Sequence, residues 1–66
     1  MSSDEKKSLR DWRVEKRLTQ KELSERAGIN IRQIQRMETG EIQMDNITLV
    51  TARKLAKVLE IGLDSL

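Results

Sequence analysis

Arginine and glutamine gather where the chain carries no acid: between Glu25 and Glu38 lie Arg26, Arg32 and Arg36, with Gln33 and Gln35 among them. Such side chains donate hydrogen bonds and, for arginine, hold a permanent positive charge, so their chemistry is binding rather than proton transfer. The usual reagents of catalysis and metal capture are missing. There is no histidine and no cysteine, which excludes disulfides and the ordinary zinc ligand sets. No glycine-rich phosphate loop is present, and no carboxylate pair has an evident pocket, so neither an enzyme nor a cofactor is expected. A plainer account of the basic residues is a solvated helix face. A second acid-free run, Asn46 to Leu59, shows that such runs arise here without special meaning. Spacing has to decide.

Sixty-six residues allow one small domain, taken as 1–66 with residues 1–7 open to fraying at the N-terminus. At that size only about 60% of the unfolded chain's surface is buried, so stability is marginal and rests on tight helix packing. Charged and apolar residues each make up 36% of the chain, a balance of folded, soluble domains rather than disordered ones. No apolar run approaches the roughly 18 residues of a membrane span. The opening MSSDEKKS lacks the apolar centre of a secretory signal. The cytoplasm is the default location, and no membrane partner is expected.

Periodicity and caps predict five helices and no strand. Helix 1 is expected from about Asp4 to Arg17, with Leu9, Trp12 and Val14 on its apolar face and Ser2 with Glu5 as its start signal. TQKE gives a clearer cap: Thr19 and Glu22 satisfy each other's amides, and Leu18 staples onto Leu23. Helix 2 then runs from Gln20 to about Ala27, and Gly28 ends it by accepting positive φ. Asn30, with Gln33 in the reciprocal place, starts helix 3 at Ile31, and Thr39-Gly40 stops it after Glu38. Residues 41–47 form a loop anchored by Ile42. Thr48 caps helix 4, whose apolar face is Leu49, Ala52, Leu55, Ala56 and Leu59; a short fifth helix follows near Gly62. Trp12 and Met37 are expected in the core. Met1 and Met44 are expected at the surface or in loops, and Lys6, Lys7 and Arg10 in solvent.

Counted from Gln20, apolar residues fall at the fourth, eighth, tenth, fifteenth and eighteenth places: Leu23, Ala27, Ile29, Ile34 and Met37. A small residue, Ser24, takes the fifth place and Gly28 the ninth. Two helices crossing at about 90–120° through a short turn need those types there: a small side chain at the close approach, a left-handed residue in the turn, and apolar positions facing inward. The phrase LTQKELSERAGINIRQIQRMETGE, followed by LAKVLEIGLDSL, resembles the Cro and phage-repressor (lambda repressor-like, XRE) family of helix-turn-helix DNA-binding domains. The likeness covers about residues 8 to 66. It implies an all-α, five-helix domain in which helices 2 and 3 form the reading unit.

The resemblance implies roles by position. The N-terminal half of helix 3 would enter the major groove, with Ile31, Arg32, Gln33 and Arg36 outward. Arginine bonds bidentately to guanine O6 and N7, and glutamine to adenine N6 and N7; Ile31 offers only an apolar contact, for instance to a thymine methyl. Gln20 matches the family's phosphate-contacting glutamine at a helix N-terminus, joined by Thr19 and Gln35. Arg13 and Glu38 match an ion pair that fixes helix 1 against the reading unit. Glu41 and Asp45 depart from the family, which often has basic residues in that loop; Gln43 and Asn46 remain its candidate phosphate contacts. The net charge of +2 argues for modest non-specific binding.

The implied partner is double-stranded DNA bearing a palindromic operator, bound by a homodimer, because one small module buries little area on a duplex. The expected dimer surface is Ile61, Leu63 and Leu66 with exposed parts of helix 4. Regulation of transcription, as a repressor, would be the output. The competing class is a protein-interaction or antitoxin-like module built on the same fold, which salt dependence would separate from DNA binding.

Overall fold

A computed structural model describes residues 7–66. Four α-helices follow one another, α1 (Leu9–Glu15), α2 (Gln20–Ala27), α3 (Ile31–Thr39) and α4 (Leu49–Leu59), with 3-10 turns at Met44–Asn46 and Leu63–Ser65. Among the described residues there is no strand, so the domain is all-α. The expected fifth helix is a single 3-10 turn, entered from Gly62 in an extended conformation. The left-handed Glu60, followed by an Ile61 amide bond to the Ala56 carbonyl at 3.0 Å, turns Ile61 onto the core, and Leu66 packs there after the 3-10 turn. None of these helices is long and apolar enough to cross a membrane.

Helix α1 is shorter than periodicity predicts. Ser8 Oγ accepts from the Asp11 amide at 3.1 Å, and Asp11 returns the bond to the Ser8 amide at 3.3 Å, a reciprocal cap that starts the helix at Leu9. Residues 7 and 8 are therefore not helical; the Ser2–Glu5 signal, the Asp4 start, Met1 and Lys6 lie outside the described residues. The far end comes at Glu15 instead of Arg17, because Arg17 turns left-handed at φ 59° and its amide bonds the Val14 carbonyl at 2.9 Å. Val14, expected on the apolar face, is 56% exposed. Lys7 is not simply solvated: it pairs with Glu15 and sits 4.7 Å from the Trp12 ring centre.

The joint between α2 and α3 follows from local chemistry. Thr19 Oγ1 accepts from the Glu22 amide at 3.0 Å while the Glu22 carboxylate accepts from the Thr19 amide at 2.9 Å. That backbone bond holds the Glu22 carboxyl below its ordinary range. Leu18 and Leu23, on either side of the cap, are buried. Gly28 ends α2 at φ 68°, and a Cβ there would meet nothing within 4 Å, so backbone conformation rather than space requires the glycine. Inside the turn the Ile29 amide reaches the Ser24 carbonyl at 3.0 Å, and the Ser24 hydroxyl donates back to the Ile29 carbonyl. Asn30 Oδ1 then caps α3 on the Arg32 amide at 2.8 Å. No side-chain bond returns from Gln33, so the reciprocal cap expected there does not form.

Leu23, Ile34, Leu55 and Leu59 are fully buried at the centre, with Leu9, Leu18, Ala27, Ile29 and Met37 around them. Trp12, Ile42, Met44, Ile47 and Val58 close the core from outside. Met44 thus packs inward rather than lying free in the loop. Leu49, expected on the inner face of α4, is instead 58% exposed beside Val50 at 62%. The buried face of α4 begins only at Leu55, one and a half turns on, with Ala52 half-buried between. Trp12 Nε1 donates to the Ser65 carbonyl at 3.2 Å and ties the C-terminal turn to α1.

Candidate nucleic-acid interface

Helix α3 divides by face. Ile34 and Met37 are buried, while Arg32, Gln35 and Arg36 are exposed and Ile31 and Gln33 half-buried at the surface. Two shallow grooves flank this exposed strip. One is lined by Arg32, Gln35, Arg36, Thr39 and Glu41, the other by Asn30, Arg32, Gln33, Arg36 and Ile42. Arg32 and Arg36 border both. Arg32 has no ion pair among the described residues. Because the first turn of α3 holds no acid, its positive dipole end is not neutralised by the helix itself.

Behind this strip sits a compact polar cluster. Arg13 on α1 donates from Nε to Glu38 Oε2 at 2.6 Å and from Nη2 to Oε1 at 3.1 Å, a bidentate pair whose side chains are 13% and 5% exposed. Its third donor, Nη1, reaches the Leu18 carbonyl at 2.8 Å. The hydrogen bond and charge of Glu38 raise the Arg13 pKa above its ordinary value despite the partial burial. Gln20 Nε2 donates to Glu38 Oε1 at 3.0 Å. One carboxylate thereby joins α1, the start of α2 and the end of α3.

Gln20, predicted from sequence as a phosphate contact, is thus also a structural partner of Glu38. The bond uses one of its two amide protons, and the second remains for an oxygen outside the protein. Thr19 presents its hydroxyl at the same helix start. There the amides of Gln20 and Lys21 precede the first helical hydrogen bond, from Leu23 to the Thr19 carbonyl at 3.0 Å, and stay open to an anion. Gln43 and Asn46 are exposed at the 3-10 turn after α3, close enough in chain for the Asn46 amide to bond the Gln43 carbonyl at 2.9 Å. Gln35 is exposed on α3.

Two features had no signal in the sequence. Glu41 lies 3.5 Å from Arg36 Nε, across the left-handed Gly40 (φ 88°), where no helical spacing rule applies. Arg26, Lys54 and Lys57 line a groove between α2 and α4, brought together from separate helices. The expected dimer surface is also redistributed. Ile61 and Leu66 are half-buried against the chain's own core, leaving Leu63, 42% exposed, as the open apolar residue of that set.

The domain therefore holds two helices at a fixed angle, a small-residue joint, and a cationic strip on the outer face of the second helix. Neither the curated proteins nor the solved structures gave a match to the chain. A helix-turn-helix family model matches residues 9–66, from the first residue of α1 to the end of the chain. The chain belongs to the Cro/C1-type (XRE) helix-turn-helix family of DNA-binding domains.

Proposed function

We propose that the domain reads a specific double-stranded DNA sequence by laying the N-terminal half of α3 in the major groove, and that it represses transcription from the sites it occupies. The observation that carries this is the outer face of α3: Arg32, Gln33 and Arg36 stand at the surface while Ile34 and Met37 anchor the same helix in the core. A helix fixed on one side and bearing planar donors on the other meets the geometric need of major-groove readout. Arg32 and Arg36 read guanine, Gln33 reads adenine, and Ile31 packs on a thymine methyl. Gln20, Thr19, Gln35, Gln43 and Asn46 hold the phosphates on either side and set the register. Where such a site overlaps a promoter, the bound module blocks polymerase, and that is the sense in which repression is proposed.

Selecting bound sequences from a random duplex pool tests the reading, and a palindromic motif is the expected result. On the selected site Arg32→Ala should cost about 1–3 kcal/mol and relax preference at one base position. Because Arg32 is exposed and has no ion pair among the described residues, the variant should keep the natural chain's thermal stability. Unchanged affinity and preference in Arg32→Ala would remove Arg32 from the reading set. Binding with no salt dependence would point to a protein partner instead.

A further inference from the structure

Glu41 is an acid in the loop that follows the reading helix, where it faces the same side as Arg36. Resting on the reading above, we propose that Glu41 is a positioning residue for Arg36, holding its guanidinium for a base edge and away from the phosphates. Three observations place the carboxylate. Gly40 turns left-handed at φ 88° and swings residue 41 back beside the helix. The next residue, Ile42, is pinned twice: its amide bonds the Arg36 carbonyl at 3.1 Å, and its side chain packs on the core. Glu41 Oε2 then lies 3.5 Å from Arg36 Nε.

The point of contact matters. Nε is the inner nitrogen of the guanidinium, so a carboxylate there leaves the two terminal amino groups for guanine O6 and N7. An arginine on an exposed helix otherwise has several rotamers, and a phosphate within reach attracts it wherever the duplex offers one. Glu41 biases those rotamers and adds a negative charge that disfavours phosphate approach. Affinity for arbitrary DNA falls, and the difference between the right base and a wrong one grows. In this way an acid in a DNA-facing loop serves discrimination at the expense of non-specific grip.

A double-mutant cycle on Glu41 and Arg36 tests this. Each variant is measured on the selected site and on random-sequence duplex, with thermal melting as the control for folding. Both side chains are largely exposed, 65% and 55% respectively, so all variants should melt like the natural chain. Glu41→Gln should bind random duplex more tightly, and its ratio of selected to random affinity should fall about 2- to 5-fold, the range of an exposed ion pair. The loss of preference should be confined to the base that Arg36→Ala also relaxes. In the Arg36→Ala background, Glu41→Gln should leave the ratio unchanged.

An equal fall in both backgrounds would mean that Glu41 acts on discrimination without Arg36, and would overturn the proposal. So would an unchanged ratio in the natural background. If Arg36→Ala leaves discrimination intact while Arg32→Ala weakens it, the positioning role fails and sequence-specific reading survives. If the natural chain prefers no sequence at all, both fail together.

Discussion

Single residues in this domain differ in how well they suit their backbone. Among the described residues, four positions adopt positive φ: Gly28 and Gly40, and also Arg17 and Glu60, each at φ 59°. Left-handed backbone costs an L-residue about 1–2 kcal/mol, and glycine almost nothing. Glu60 ends α4, with its amide bonding the Ala56 and Lys57 carbonyls. Its one ion contact among the described residues is Lys16 at 3.7 Å, and the Glu60 side chain is 79% exposed, so that contact contributes little. Glu60→Gly should therefore stabilise the domain, by about 0.5–1 kcal/mol once glycine's own entropy in the unfolded chain is subtracted. Gly28→Ala should destabilise it by about 1 kcal/mol, although no atom stands where the new Cβ would go. Denaturant midpoints at unchanged m-value measure both shifts. A lower midpoint for Glu60→Gly would show that the glutamate contributes more than its strained backbone costs.

At the scale of elements, the α2–α3 helix-turn-helix is held to α1 by one carboxylate. Glu38 receives Arg13 twice and Gln20 once while only 5% exposed. Removing Arg13 strands a buried charge, so Arg13→Ala should lower stability by about 3–5 kcal/mol, enough to unfold a chain of this size at moderate temperature. Arg13→Met with Glu38→Leu removes both charges and should recover most of that loss, as chemical denaturation would show. If the double variant is no better than the single one, the cluster's value lies in its hydrogen bonds rather than in charge matching. Elements written in short-range rules were legible in the sequence. Thr19 with Glu22, Gly28, Asn30 and Gly40 act within a few residues of themselves, and they fixed α2, the joint and α3 closely. The start of α1 was not so legible, because two serine-acid signals compete, Ser2 with Glu5 and Ser8 with Asp11, and the second caps the helix whose Leu9 is buried. The exposure of Leu49 was also hidden, since it depends on where α4 first meets the rest of the core. For the candidate site, the inward Ile34 and Met37 marked Ile31, Arg32, Gln33 and Arg36 as surface positions, and the family resemblance supplied their expected role. The Gln20–Glu38 bond and the Arg36–Glu41 pair depend on chain reversals that sequence spacing does not encode.

At the scale of the whole molecule, the described residues span 34 × 24 × 20 Å, and the chain carries a net charge of +2. Neither figure suits a strong solitary binder. A single module of this kind covers roughly 600–1,000 Å² on DNA, and a weak positive charge gives little counterion release. Reading helices placed one helical turn apart, roughly 34 Å, would bring two bodies of this breadth against each other on the same side of the duplex. With Ile61 and Leu66 turned onto the core, a dimer formed through the C-terminal segment would use Leu63, which is exposed on the C-terminal 3-10 turn. On DNA carrying two half-sites about 10 base pairs apart, binding should be cooperative. Adding about 5 base pairs puts the copies on opposite faces of the helix and should abolish that cooperativity while leaving each half-site's affinity intact. Leu63→Ser should have the same effect at the natural spacing, since the side chain is already partly in water and its loss opens no cavity in the core. Gel-shift titrations across the spacing series separate the cases: independent occupancy at every spacing would mean that the domain works as a monomer, and cooperativity that survives Leu63→Ser would move the contact to Leu49 and Val50 at the exposed start of α4.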